Sequence, residues 1–287
     1  MNRILPVLLV IAGCAATPDA PVPPNPGPFD AAIRIPVGDV VLKGTLFVAD
    51  NEQPKPTLVW LHGFPGLPEP SSAAIEAVRG AGLNVLHFHY RGAWGAPGGF
   101  SVAHARADAR AALAHLRRPE LARLYRIDTD ALIPVGDSFG SWVALQTAAE
   151  DPAVPCSAGA LVLDLGALGE QFRTDPGVRA GFQQMFSAIA EDPALEYRFA
   201  AGPESFTDEI AADHAKNALV GLASAFGERP VMLMGAAADE LAPPQRHLEP
   251  LAAALRSATV KIYAGGHELA DAAYAGDLAR WVLANCR

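Results

Sequence analysis

The stretch ALIPVGDSFGSWVALQTAA, residues 131–149, decides how this chain is read. Ala131 to Val135 is an apolar, strand-like run, and Phe139 to Ala149 has the composition of a helix. Between them lies Gly136-Asp137-Ser138-Phe139-Gly140, a G-x-S-x-G pattern at a strand-to-helix junction. A chain turning that sharply holds the serine in strained backbone angles with its hydroxyl presented outward. The flanking glycines answer to close backbone approaches that leave no room for a Cβ. The helix N-terminus below the serine offers unpaired N–H groups and the positive end of a dipole, suited to a developing oxyanion.

A serine needs a base, and the base needs an acid to orient it. In this type of site the chain order is serine, acid, histidine. Val231 to Gly235 reads as a buried strand, followed by Asp239 in a loop that ends at Pro243 and Pro244. Thr259 to Tyr263 reads as another strand, followed by Gly265-Gly266-His267. Both polar residues thus fall just past the C-terminal ends of strands, where open parallel sheets place their sites. Upstream, Leu58 to Leu61 runs into His62-Gly63-Phe64-Pro65-Gly66, a loop suited to presenting a second oxyanion donor.

With these motifs on the page, the chain from about Ile33 to its C-terminus resembles the α/β-hydrolase superfamily. The segment Tyr90-Arg91-Gly92-Ala93-Trp94-Gly95 is similar to members related to prolyl oligopeptidase and dienelactone hydrolase. The resemblance implies an α/β fold with a mainly parallel central sheet flanked by helices. It also implies catalysis by Ser138, Asp239 and His267, with an oxyanion hole formed by the backbone N–H groups of Phe64 and Phe139. His267 would take the serine proton and return it to the leaving group, while Asp239 holds the imidazole tautomer. That chemistry calls for no metal and no organic cofactor. The substrate class is a small ester or related acyl compound. A serine peptidase of the prolyl oligopeptidase type is the alternative, and a surface lipoprotein that kept the fold without catalysis is a third reading.

Composition agrees. With 287 residues and 51% apolar content, the chain can bury one large core. A net charge of −9 and the lack of any basic run argue against nucleic acid as a partner.

The N-terminus carries a separate signal. Arg3 precedes an apolar stretch from Ile4 to Ala12, which then meets Gly13-Cys14. Nine residues span only about 14 Å as a helix, short of the ~30 Å hydrocarbon core, so residues 1–13 read as a signal peptide. Ile11-Ala12-Gly13-Cys14 resembles the bacterial lipobox, which makes Cys14 the lipidated residue after cleavage. Ala15 after the cysteine is similar to outer-membrane sorting signals, giving a lipid-anchored location in the bacterial cell envelope. Residues 14–29 are proline-rich and read as an extended tether, and residues 30–287 form the catalytic domain. Cys156 and Cys286, the remaining cysteines, are expected on the face opposite the active site, either as a disulfide or as two separate thiols.

Ile33 to Val37 and Val40 to Val48 read as an antiparallel pair turning at Gly38-Asp39, followed by a helix from Ser72 to Gly80. Leu83 to Tyr90 is expected as a strand, Ser101 as the cap of a helix reaching Arg117, and Ala160 to Leu165 as a further strand. Pro134 sits awkwardly in a central strand, and a local bulge there would accommodate it. Residues 166–228 interrupt the strand–helix rhythm and carry many aromatics, which reads as a helical cap over the serine. His87 and His89 alternate onto one strand face and read as hydrogen-bonded rather than as metal ligands, with His62 bracing the oxyanion loop. Asp164 is an alternative acid, Asp137 is expected to point away from the serine, and Glu240 and Glu268, next to the proposed acid and base, either to support those residues or to face solvent.

Overall fold

A computed structural model describes residues 27–49 and 53–286; the signal segment, Cys14 and most of the tether lie outside the described residues. Eight strands form one sheet: β1 (Phe29–Val37), β2 (Val40–Val48), β3 (Lys55–Leu61), β4 (Asn84–Phe88), β5 (Ile127–Asp137), β6 (Ser157–Ala160), β7 (Val231–Ala236) and β8 (Ala258–Tyr263). Their spatial order is β1-β2-β4-β3-β5-β6-β7-β8. The β1–β2 and β2–β4 pairs are antiparallel, and every other pair is parallel. The parallel crossovers require helices, which lie as α1 (Ser72–Gly80), α2 (Val102–Leu116), α3 (Pro119–Tyr125) and α4 (Phe139–Glu150) before β6.

Between β6 and β7 the chain forms α5 (Leu165–Thr174), α6 (Pro176–Glu191), α7 (Pro203–Ala212), α8 (His214–Asn217), a 3-10 turn (Leu219–Leu222) and α9 (Ala223–Phe226). The short helices α10 (Pro244–His247) and α11 (Glu249–Ala254) precede β8, and α12 (Ala272–Asn285) ends the fold. Among the described residues no helix is long and apolar enough to cross a membrane.

Residue alternation along β3 explains the layers. Val59 and Leu61 face a core shared with α2, α4 and the inserted helices, whereas Leu58 and Trp60 face a second core made with α1 and α12. Period-2 geometry allows one strand to serve both, which is why β3 reads as continuously apolar. Side-chain caps start the helices: Ser71 accepts from the Ala74 amide and Ser101 from the His104 amide, satisfying N–H groups that no helical carbonyl can reach.

The structure corrects several boundaries. β1 begins at Phe29, ahead of Ile33, and β4 stops at Phe88, short of Tyr90. The strand expected at 160–165 is instead β6, ending at Ala160, because Leu161 has a left-handed φ of 47° that turns the chain out of the sheet. The irregularity expected at Pro134 lies upstream, where Lys55 and Thr57 of β3 face Ile127 and Leu132 of β5. Pro134 itself pairs in regular register with Val59, and its carbonyl accepts from the Ser157 hydroxyl at 2.9 Å. That carbonyl points toward β6, whose ladder with β5 starts only at Val135 opposite Ala158. The missing Pro134 N–H therefore faces the mouth of the ladder, where it deprives no partner.

Cys156 and Cys286 form a disulfide, with Cα atoms 5.4 Å apart. It ties the start of β6 to the end of α12, at the edge of the sheet away from Ser138.

Candidate active site

Ser138 sits between β5 and α4 with φ 52° and ψ −120°, angles costly for a residue with a Cβ. Neighbouring glycines make the bend sterically feasible. A Cβ on Gly136 would collide with the Gly140 carbonyl, and one on Gly140 with the Leu61 carbonyl. The Ser138 amide donates to the Ala160 carbonyl at 2.9 Å, and the Ser138 carbonyl accepts from the Ser141 amide at 2.9 Å and from its hydroxyl at 2.6 Å. The strained turn is thus held from both sides.

The loops after β7 and β8 bring the other two residues to it. Ser138 Oγ lies 2.8 Å from His267 Nε2, and His267 Nδ1 lies 2.8 Å from Asp239 Oδ2. Asp239 is buried, and its other oxygen accepts from the amides of Leu241 at 3.0 Å and Ala242 at 2.8 Å. Burial works to raise the Asp239 pKa, but the hydrogen bond from His267 and those from the two amides outweigh it, so the carboxyl titrates below its ordinary value. The carboxylate is thereby kept ionised and aimed at Nδ1.

Asp164, the alternative acid, is elsewhere. It caps α5, accepting from Gly166 at 2.7 Å and Ala167 at 3.4 Å, and its second oxygen takes the Leu219 amide at 3.2 Å. Its oxygens are committed to main chain, away from the imidazole.

The loop from His62 to Pro70 overhangs Ser138, and a Cβ built on Gly63 would lie 3.3 Å from the Ser138 Cβ. Phe139 is the first residue of α4, so its amide has no carbonyl one turn back to bond. Phe64 follows Gly63 in this loop and, with Ser138, lines both cavities that meet at the serine. The loop is firmly held. His62 Nδ1 bonds the Gly63 carbonyl at 2.7 Å, and the Nε2 atoms of His87 and His89 meet the Pro68 carbonyl at 2.9 and 2.5 Å. Burial, with repulsion from neighbouring imidazoles, drives His62 well below its ordinary pKa and His87 down to about 4, so both stay neutral donors. Among the described residues no group of three or more His, Cys, Asp or Glu side chains could hold a metal ion.

Two further contacts on this loop have no signature in the sequence. Trp94 Nε1 and the Tyr197 hydroxyl both donate to the Pro65 carbonyl, at 3.1 and 2.7 Å. The Phe64 ring packs against Phe100, Phe186, Tyr197, Phe199 and Phe206, with centroids 4.9–5.7 Å away. The inserted helices therefore lie directly over the loop. They are also pinned at a second point, where Glu209 on α7 accepts from the Val102 and Ala103 amides at the start of α2, each at 3.0 Å.

Asp137 is expected to point away from the serine, and it does. Its side chain accepts from Trp60 Nε1 at 3.2 Å, yet it lines a cavity shared with Ser138. Burial raises its pKa and Asp271 adds to that; the Trp60 and Gly63 donors oppose, leaving it at about 6. Glu268 is exposed at the rim of the same cavity, and Glu240 faces solvent.

Two cavities meet at Ser138. One of about 500 Å³ is lined by Trp60, Asp137, Glu268, Asp271 and Tyr274 together with the Gly63–Leu67 loop. The other, of about 70 Å³, is apolar and lined by Phe139, Leu165, Leu168 and the inserted-helix residues Phe182, Met185, Phe186, Phe206 and Ile210.

No family model and no curated protein matches the sequence. Solved structures do match over nearly the whole chain. The α/β hydrolase GrgF from Penicillium sp. sh18 superposes with a TM-score of 0.63 at 15% identity, over 90% of this chain and 99% of its own. A cold-adapted esterase from an Arctic intertidal metagenomic library gives 0.57 at 15% identity, over 90% and 94%. Puromycin hydrolase gives 0.62 at 19% identity over 93% of this chain, which spans only 41% of that protein. The chain has the α/β-hydrolase fold.

Proposed function

We propose that this protein is a serine hydrolase that cleaves carboxylic esters through an acyl-enzyme. The observation that carries this reading is the continuous hydrogen-bonded chain from Ser138 Oγ through His267 to Asp239, with both links at 2.8 Å, at the strained bend before α4.

In this reading His267 Nε2 accepts the Ser138 proton as Oγ bonds to the substrate carbonyl carbon. The carbonyl oxygen takes up the negative charge and meets the Phe139 and Phe64 N–H groups, each such donor lowering the barrier by about 3 kcal/mol. The imidazolium, stabilised by Asp239, returns its proton to the alcohol oxygen as the carbon–oxygen bond breaks. Water then repeats the sequence: His267 takes its proton, the hydroxide oxygen bonds to the acyl carbon, and Ser138 leaves reprotonated. An ester fits better than a long peptide, since the inserted helices lie over the serine and leave a 70 Å³ apolar recess on one side. The lipobox reading of Cys14 completes the proposal, with the catalytic domain tethered to a membrane of the bacterial cell envelope. Cys14→Ser should then abolish labelling by radioactive palmitate.

Ser138→Ala tests the assignment. The variant should fold as the parent does, lose ester turnover, and fail to react with a fluorophosphonate probe. Labelling of the variant at the parent level would place the nucleophile elsewhere; an unreactive parent would favour a non-catalytic role for the fold.

A further inference from the structure

We infer that the two cavities divide the substrate unequally: the small apolar recess takes a short acyl chain, and the larger cavity takes a bulky leaving group that is not an anion. The inference rests on the proposed acyl-enzyme chemistry and deepens it.

The order of events fixes which side is which. The alcohol departs first, while the acyl group is still bonded to Ser138. Water must then arrive beside His267 by the route the alcohol vacated. No exposed residue lines the small recess, so an alcohol released there would have no exposed rim to leave past and would stand in the way of the water. The larger cavity opens to solvent past exposed Leu67, Glu268 and Ala270, and part of its wall is the chain immediately following His267, the group that protonates the alcohol. Departure and water entry both belong on that side.

Volume sets the size limits. The recess holds about 70 Å³. An apolar cavity of ~150 Å³ accommodates benzene, so half that volume accepts roughly two to three carbons beyond the carbonyl. The larger cavity, at about 500 Å³, is in the range of sites for whole small molecules. Its lining carries Asp137, Glu268 and Asp271 and neither lysine nor arginine, which disfavours an anionic leaving group.

The test measures kcat/KM for p-nitrophenyl esters from acetyl to decanoyl, and for phenyl, 1-naphthyl and 4-carboxyphenyl butyrates, each divided by the ester's own hydroxide-catalysed rate. Propionyl or butyryl should be the acyl optimum, with octanoyl at least tenfold lower. Naphthyl butyrate should match or exceed phenyl butyrate, and 4-carboxyphenyl butyrate should fall below both. Phe182→Ala and Met185→Ala, two half-buried positions on α6, should each move the optimum toward hexanoyl or octanoyl. Leu67→Trp, at an exposed rim position, should lower the naphthyl-to-phenyl ratio at least tenfold. A parent that prefers octanoyl, or an optimum unmoved in both α6 variants, overturns the division while Ser138 labelling leaves the hydrolase reading standing. Absence of both labelling and turnover overturns the hydrolase reading itself.

Discussion

Asp239→Asn is the sharpest perturbation available, because the structure dictates how the new amide must sit. Both main-chain donors, from Leu241 and Ala242, point at one carboxylate oxygen, while His267 Nδ1 meets the other. An asparagine keeps its single oxygen where two N–H groups converge, so its NH₂ faces the imidazole. An NH₂ can only donate, which leaves Nδ1 unprotonated and puts the ring hydrogen on Nε2. That nitrogen can no longer accept the Ser138 proton, although no heavy atom has moved. Loss of the correct tautomer in this constellation lowers kcat about 10⁴-fold, equivalent to roughly 5.5 kcal/mol of barrier. Stability should change little, since the replacement is isosteric, keeps both main-chain hydrogen bonds and reverses the direction of the third. The assay is kcat on p-nitrophenyl butyrate beside urea unfolding of the same preparations, with Asp164→Asn as the control. Asp164→Asn should disturb the start of α5 and leave kcat within about tenfold of the parent. A mild Asp239→Asn together with a crippled Asp164→Asn would refute the assignment of the acid.

Other consequences follow from single features. Asp137, raised to about 6, holds a proton in the folded chain that the unfolded chain has lost. The contribution of Asp137 to stability should accordingly fall by about 3 kcal/mol at most as pH rises from about 4 to 6, against the opposite slope from His62 and His87, which are buried neutral; Asp137→Asn should therefore make stability rise more steeply with pH in urea titrations at pH 4, 5, 6 and 7. Removing the Cys156–Cys286 link, whose ends are 130 positions apart, frees the unfolded chain. Cys286→Ser should cost about 2–4 kcal/mol in guanidinium unfolding, and an unchanged midpoint would show that the bond does not form in solution. Gly140→Ala drives a Cβ into the Leu61 carbonyl and should yield no soluble protein, whereas Gly80→Ala, with open space around it, should stay within about 1 kcal/mol of the parent by thermal melting.

What could be read in the sequence was chemistry that had to be local. Ser138 declares itself because a strand, a bend and a helix must follow one another within a few residues, and glycine must flank the bend. Asp239 and His267 are legible because parallel strands end on the same edge, so a polar residue just after each one lands near the others. The disulfide had no such signature. Cys156 and Cys286 meet only because α12 returns to the start of β6, and neither spacing nor composition encodes that return. Pro134 was misjudged for a related reason: its effect depends on which neighbour its missing N–H faces, a property of sheet register. Asp137 points away from Ser138 as its place in the sequence suggests, but the cavity formed by β3, α12 and the 62–70 loop, which meets it there, depends on elements far apart in the chain.

The overhanging loop shows why the insertion after β6 belongs to the site rather than to its periphery. Phe64 would contribute a backbone N–H to the reaction, and its ring is the hub of an aromatic cluster drawn from α6, α7 and the segment between them. The carbonyl of the next residue, Pro65, is held by Tyr197 from the insertion and by Trp94 from the loop after β4. A hydrogen-bond donor poised for an oxyanion is useful only if it need not reorganise when charge develops. Backbone loops at a sheet edge are seldom that rigid by themselves. Here the helices that line the apolar recess also immobilise the donor beside it. Pocket shape and oxyanion geometry therefore rest on the same side chains, and a substitution that enlarges the recess at Phe186 or Phe206 would loosen the catalytic loop as well. Phe182 lines the recess with its ring on Phe172 and Phe186 rather than on Phe64, so acyl specificity should change there with less effect on the donor than at Phe186 or Phe206.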